Sequence, residues 1–353
     1  MKTYRIAVIA GDGIGNEVVP AAIRALDTAA ARGNFRFEWQ HYPWGSAHYF
    51  EHGQMMPADA LDTLRPFDAI FFGAVGDPRI QDNVTLNGLL LPIRRGFDQY
   101  ACVRPAVLYP GVRCPLAGKQ PGDIDFTVVR ENTEGEYAQV GGLLYPEGPH
   151  GVAVQSAVFT RHGTERVIRF AFELARRRNG KKLVTSVTKS NAQGFSMAFW
   201  DVVFDEVKRD YSDIRTESLL VDAACMDLVR RPETFDVIVG SNLFGDILTD
   251  LSAAITGSLG LAPSANLNPT RAFPSMFEPV HGSAPDIAGR GVANPLAQML
   301  SGVMMLDFLG ETAAAALVER AVRGVLEDQR DLTPDLGGRG TTESLTAAVL
   351  SRL

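Results

Sequence analysis

Residues 5–18 read RIAVIAGDGIGNEV. Ile6 to Ala10 is a short β-type run, cut off by Gly11-Asp12-Gly13, and a helix is predicted from about Asn16 to Ala31. A strand, a glycine turn and a helix in that order open an α/β domain. The turn invites a dinucleotide-binding interpretation. The pattern G-x-G-x-x-G, however, would need glycine where Asn16 stands. The acidic residue that should end a second strand is also missing, because Asp27 falls inside the first helix. No GKS or GKT provides a P-loop. The turn is therefore a structural tight turn or a nucleotide site of another kind.

The alternation continues outward. Phe35, Phe37 and Trp39 alternate with polar residues, as in a half-buried strand. Asp68 to Val75 is a continuous apolar run suited to a strand buried on both faces. Thr85 to Phe97 reads as helical. Tyr100 to Leu108, Phe126 to Arg130 and Val152 to Thr160 are candidate strands, and Tyr145 to Gly151 is a loop. A helix at Gly163 to Arg178 precedes strands at Lys182 to Val187 and Phe235 to Val239. The stretch LAPSANLNPTRAFPS (261–275) reads as a Pro- and Asn-rich loop, and two helices follow at about Pro295 to Leu309 and Thr312 to Asp328. The fold class is α/β, with strand order open.

The 353 residues suffice for about two domains. Hydrophobic residues at 46% and charged residues at 21% are ordinary globular values and exclude disorder and coiled coil. With 41 acidic against 34 basic side chains, the net charge of −7 argues against a nonspecific grip on nucleic acid or anionic membrane. Cys102, Cys114 and Cys225 stand far apart, as expected of reduced thiols. The first apolar run is too short for a signal-peptide core, and no stretch approaches the roughly 18 apolar residues of a membrane span. A soluble, cytoplasmic protein is expected.

Four constellations could carry chemistry. In Asn242-Leu243-Phe244-Gly245-Asp246-Ile247-Leu248-Thr249-Asp250, Asp246 and Asp250 fall four apart on one helix face. Their like charges repel, and the pair is an oxygen-ligand set suited to Mg²⁺ or Mn²⁺ as much as it is an ordinary solvated face. Arg94, Arg104 and Arg130 stand near element ends, where guanidinium forks can hold carboxylates; isolated surface arginines are the alternative. In His281-Gly282-Ser283-Ala284-Pro285-Asp286, small residues allow close backbone approach to a ligand, and the carboxylate could take both hydroxyls of a ribose while repelling a 2′-phosphate. His48-Tyr49-Phe50-Glu51-His52 matches a zinc-peptidase pattern, but Gly53 and Pro57 leave only a very short helix and no third ligand is evident.

Taken together, GDGIGNEV, the Arg94/Arg104 spacing, VVRENTEGEY, TKSN, NLFGDILTD and FEPVHGSAPDIAGRGVANP resemble the isocitrate/isopropylmalate dehydrogenase family of metal-dependent β-decarboxylating dehydrogenases. The segments GFDQY, PLAGKQPGDIDF and SANLNP look most like its tartrate/D-malate branch. The resemblance implies an isopropylmalate dehydrogenase-like fold, not a Rossmann fold, with the active-site cleft between two α/β domains. The first, NAD-binding, would comprise 1–99 and 257–353, and the second, carrying metal and dimer interface, 100–256. It implies that Arg94, Arg104 and Arg130 clamp substrate carboxylates, that Tyr137 protonates an enol intermediate and that Lys189 handles the hydroxyl proton. Asp222, Asp246 and Asp250 would be metal ligands, with Lys189 and Asp222 coming from the neighbouring subunit of a homodimer. His281, Gly282, Ser283, Ala284, Asp286 and Asn294 match the NAD site.

The implied reaction is NAD-dependent oxidative decarboxylation of a 2-hydroxy dicarboxylic acid with Mg²⁺ or Mn²⁺; a monovalent-cation requirement stays open. Hydride leaves C2, and the β-carboxylate departs once C2 is a ketone. Asn87, Pro92 and Cys102 depart from the branch pattern near the presumed substrate. Asn87 and the leucines around Leu90 are the expected wall at C3. Asn87 suits a hydroxyl there and the leucines an alkyl group. D-malate is expected first, tartrate second and 3-isopropylmalate as a weak alternative. Two remote alternatives are a non-catalytic regulatory subunit, from which losses among Lys189, Tyr137 and the aspartates would be expected but none is lost, and a zinc hydrolase through His48 and His52.

Overall fold

The computed structural model describes residues Met1–Leu353. The chain forms two compact units. One comprises Met1–Gln99, Arg104–Ile124 and Ser252–Leu353, the other Tyr100–Val103 and Asp125–Leu251. Residues 104–124 thus fall with the first unit, where the sequence analysis groups 100–256 together. The cause is packing: Tyr109 is buried in the first unit's core, with Val107 and Val112 against it.

In the first unit, strand Lys2–Gly11 pairs in parallel with Phe35–His41 on one side and Ala69–Ala74 on the other. Ala69–Ala74 pairs in parallel with Ser275–Pro279, which pairs antiparallel with Pro263–Leu267. The period-2 geometry of a strand explains why these strands read as continuous apolar runs. Ile6, Val8 and Phe71 enter one core cluster, while Ala7, Ile9, Ile70 and Phe72 enter another on the opposite face. Helix Gly15–Gly33 covers the first face through Val19, Ala22, Leu26 and Ala29, with helices Leu296–Leu309, Thr312–Asp328 and Thr342–Leu350 beside it.

Two local expectations change. The segment 261–275 is not wholly a loop. Pro263–Leu267 is a strand whose Ser264, Ala265 and Asn266 are fully or almost fully buried. Proline is compatible with the first strand position, and small polar residues fit there because their side chains find buried partners; Asn266, for example, donates to Glu278. The helical stretch 85–97 is in three pieces: a turn at Asp82–Thr85, a π-helix at Leu86–Leu90 and an α-helix at Leu91–Gly96.

The second unit holds strands Asp125–Glu131, Val237–Gly240, Leu183–Thr188 and Arg215–Leu220 in that order, all parallel. Helices Arg161–Arg178, Ser196–Val207 and Val221–Arg230 belong to it, and Asn242–Ile255 starts in it. A separate antiparallel hairpin, Gly135–Leu144 with Val152–Val158, has a register shift between Gly135 and Val140. Its first strand is absent from the sequence expectations, since EGEYAQVGGLL lacks apolar alternation.

Candidate active site

In the second unit the chemistry gathers around Arg130, near the end of strand Asp125–Glu131. Its side chain is 4% exposed, so its charge must be satisfied by the protein. Nε and Nη2 donate to Asn242 Oδ1 at 2.9 and 2.7 Å, and Nη1 pairs with Asp246. Tyr137 Oη donates to the other Asp246 oxygen at 2.9 Å, and the guanidinium lies 5.3 Å from the Tyr137 ring centre. Gly245 makes this approach possible, because a Cβ there would come within 2.5 Å of the Arg130 Cβ. Burial first, and then the Asp246 charge, push the Tyr137 phenol above its usual range. It therefore stays protonated at neutral pH and is equipped to donate.

Three glutamates of the motif around Tyr137 set its position. Glu131, fully buried, accepts from Thr133 N, Thr133 Oγ1 and Glu134 N. Glu134 accepts from Thr160 N and Oγ1, just before helix Arg161–Arg178. Glu136 accepts from Ser241 Oγ and Leu243 N at the start of helix Asn242–Ile255. The like-charge repulsion expected between Asp246 and Asp250 is therefore outweighed: the nearest charged partner of Asp246 is Arg130, and removing the Asp246 charge would unbalance a buried cation.

Lys189 follows strand Leu183–Thr188, and its Nζ donates to Asp222 Oδ1 at 2.5 Å. That bond holds the Asp222 carboxyl below its usual range, so it is ionised at neutral pH. Asp222, with a side chain 63% exposed, opens helix Val221–Arg230. The chain nowhere assembles three His, Cys, Asp or Glu side chains as a metal site. Asp222 is thus not brought together with Asp246 and Asp250 within one chain. The zinc alternative also lacks its third ligand. The His48 and His52 rings lie 4.4 Å apart between centres, tilted by 56°, and His48 Nδ1 sits 2.7 Å from the Gln54 carbonyl oxygen.

In the first unit, Arg94 is buried and donates to Glu278 Oε1 at 2.7 Å, an oxygen that Asn266 also reaches at 2.7 Å. The Arg94 Nε is buried without a hydrogen-bond partner in the protein. Arg104 is buried, with Nε 3.3 Å from Ser264 Oγ. All three arginines are therefore interior groups, not isolated surface cations. Glu278 was not anticipated, although it stands in the quoted FEPVHG segment. Leu90 packs in the core with Trp44 and Met55, and Leu89 is fully buried. Asn87 is exposed and donates to the Asn83 carbonyl at 2.7 Å.

The His281–Asp286 segment rests on the glycine turn. Ile14 N donates to Ser283 O at 2.9 Å, and a Cβ on Gly13 would fall 2.0 Å from that oxygen. Ala284 adopts φ 42°, a left-handed backbone. Burial pushes the His281 imidazole below its usual range, and its Nε2 is buried without a partner in the protein. Asp286 and Gly282 are exposed. Asn294 accepts from Leu296 N and donates to Asp335 Oδ2 at 2.9 Å. Asp12, likewise unanticipated, anchors the turn by accepting from Ser46 N, Ser46 Oγ and Gly76 N.

A family model described as isocitrate/isopropylmalate dehydrogenase matches residues 5–349. The chain is 51% identical to the D-malate dehydrogenase [decarboxylating] of Escherichia coli (strain K12), covering 99% of this chain and 98% of that protein. It is 51% identical to a probable tartrate dehydrogenase/decarboxylase of Bacillus subtilis (strain 168), covering 100% and 99%. Among solved structures, isocitrate dehydrogenase from Methylococcus capsulatus superposes with a TM-score of 0.89 at 37% identity, covering 99% of both chains. No helix is long and apolar enough to cross a membrane.

Proposed function

The chain belongs to the isocitrate/isopropylmalate dehydrogenase family and is a decarboxylating dehydrogenase, and we propose that it oxidises and decarboxylates D-malate, and more weakly tartrate, with NAD and Mg²⁺ or Mn²⁺. The observation that carries this reading is the Arg130–Asp246–Tyr137 cluster: a protonated phenol hydrogen-bonded to a carboxylate that a buried guanidinium holds. The names of the two relatives at 51% identity support the substrate class.

The unpartnered buried Nε2 of His281 and the open Gly282 fit a cofactor at the His281–Asp286 loop. The ionised carboxylate oxygens of Asp222, with those of Asp246 and Asp250, fit a hard divalent cation. A bound nicotinamide dinucleotide would supply the hydride acceptor for oxidation at C2, and a bound divalent cation would supply Lewis-acid stabilisation of the developing enolate. Lys189 takes the C2 hydroxyl proton, and Tyr137 delivers a proton to C3 of the enol left by loss of CO₂. Arg94, Arg104 and Arg130 bind the substrate carboxylates, and the free Nε of Arg94 supports that role. Asp286 receives the ribose hydroxyls and disfavours a 2′-phosphate.

The working form is a cytoplasmic homodimer in which Lys189 and Asp222 serve the neighbouring subunit's site. Exposed apolar residues support such an interface: Leu143, Leu144, Val152 and Val154 on the hairpin, and Val202, Met226 and Val229 on helices of the same unit. A kcat/KM series over D-malate, tartrate and 3-isopropylmalate with NAD and Mn²⁺ tests the substrate. D-malate is expected to lead, because a D-malate dehydrogenase is among the relatives at 51% identity, and the burial of Leu89 and Leu90 argues against an alkyl group at C3. A tenfold advantage for 3-isopropylmalate overturns the reading.

A further inference from the structure

The amino-terminal ends of the first unit's parallel strands border a pocket that none of the roles above uses. Lys2 opens strand Lys2–Gly11, Asp68 immediately precedes Ala69–Ala74, and Pro274 immediately precedes Ser275–Pro279; all three line the pocket. The Gly11–Gly13 turn and the Ala74–Gly76 segment leave these strands at their carboxyl ends. The pocket therefore stands at the opposite pole of this sheet from the loop His281–Asp286, which rests on the glycine turn.

The cavity measures about 270 Å³. Its walls carry three cations, Lys2, Arg65 and Arg271, against one carboxylate, Asp68. In a chain of net charge −7 this is a local inversion of sign. Asp68 is already engaged, since its Oδ2 accepts from Arg5 N at 2.7 Å. The Arg271 guanidinium has no carboxylate partner; it donates to the Phe308 carbonyl and lies 4.6 Å from the Phe308 ring centre. Arg65 lies 5.2 Å from the Phe273 ring centre and Lys2 4.5 Å from that of Tyr4. Arg65 keeps Asp62 at 3.6 Å in an exposed pair that water screens, and Lys2 keeps the half-buried Glu311 at 3.7 Å. Ring faces hold these cations in place without neutralising them.

The loop bearing Arg271 is rigidly built. Asn268 Oδ1 accepts from Thr270 Oγ1 and Ala272 N, and its Nδ2 donates to the carbonyls of Phe97 and Asp98. Gln99 fastens the Pro274 carbonyl at 2.8 Å. Within that frame Arg271 adopts φ 58°, a backbone that glycine would take more readily. The arginine at this position is therefore explained by its side chain, not by its backbone.

We propose that this pocket binds a small multivalent oxyanion, a phosphate ester or a polycarboxylate, through Lys2, Arg65 and Arg271. Calorimetric titration of the full-length protein with pyrophosphate, with citrate and with chloride at matched ionic strength tests it. Pyrophosphate or citrate is expected to saturate with a Kd below about 1 mM, and chloride is not. Arg271→Gly keeps the left-handed backbone and removes the guanidinium, and Arg65→Gln removes a second cation while keeping a polar side chain. Each is expected to weaken binding at least tenfold and to leave kcat/KM for D-malate unchanged. Tight binding of pyrophosphate alone assigns a phosphate ester, and of citrate alone a polycarboxylate. Failure of both anions to saturate by 10 mM (about ten times the expected Kd), or unchanged affinity in either variant, overturns the proposal.

Discussion

Asp246 and Asp222 lie in the same unit, each near the start of a helix, yet their surroundings are opposite. The Asp246 side chain is 34% exposed and holds a buried arginine on one oxygen and a tyrosine on the other. Asp222 is 63% exposed and meets one lysine. The first carboxylate is part of the interior framework of its own chain. The second is presented outward, ionised, with most of its surface free for a group the chain does not supply. The contrast is what the proposed dimer, with a site shared between two subunits, would require of each: one half built in, one half offered.

The sharpest way to break that contrast is to remove the inner half. Tyr137→Phe should lower kcat by about 10²–10⁴-fold through the lost proton donor, while leaving the fold intact. Asp246→Asn should lower activity comparably and, unlike Tyr137→Phe, also lower thermal stability, by about 1–3 kcal/mol for the buried Arg130 left short of a counter-charge. A stable but inactive Asp246→Asn would place Arg130's compensation elsewhere, on Asn242.

A subtler test uses both halves. Asp222→Asn and Asp246→Asn should each be nearly inactive alone. Co-refolded in equal amounts, they should regain roughly a quarter of wild-type activity, because half the dimers are mixed and each mixed dimer holds one intact site. No regain would place both aspartates in one chain's site.

The smallest effect concerns a third carboxylate, Asp286, which is exposed like Asp222 but belongs to the other unit. Asp286→Asn should narrow the proposed preference for NAD over NADP by about tenfold, one small electrostatic increment. The two kcat/KM ratios measure it, and an unchanged ratio removes Asp286 from the role.

Much of this arrangement is legible in the chain itself. The apolar run within Asp68 to Val75 announces a strand buried on both faces, and the structure divides it between two cores, Ala69 and Phe71 on one side and Ile70 and Phe72 on the other. Arg94, Arg104 and Arg130 are legible as a set. Their burial is not, because it depends on Glu278 and Asn242 from distant segments. The strand in 263–267 hides behind proline and small polar residues that normally mark loops. The π-turn at Leu86–Leu90 is invisible to a helical period, since one extra residue per turn alters which leucines face inward.

The interleaving of the chain's two ends in the first unit bears on its assembly during synthesis. Strand Ala69–Ala74 finds its neighbour Ser275–Pro279 only when roughly 200 further residues have left the ribosome. Closing a loop of that length costs about 5 kcal/mol of chain entropy. Until then the backbone edge of Ala69–Ala74 that Ser275–Pro279 covers has no partner, and Phe71 lacks the part of its core that the carboxyl-terminal helices supply. The second unit, nearly continuous in sequence, has no such wait. The nascent chain is therefore expected to protect 125–251 from protease before 1–99. Stalled chains long enough to release residue 251 but not residue 275 from the ribosome would reveal the order, and earlier protection of 1–99 would refute it.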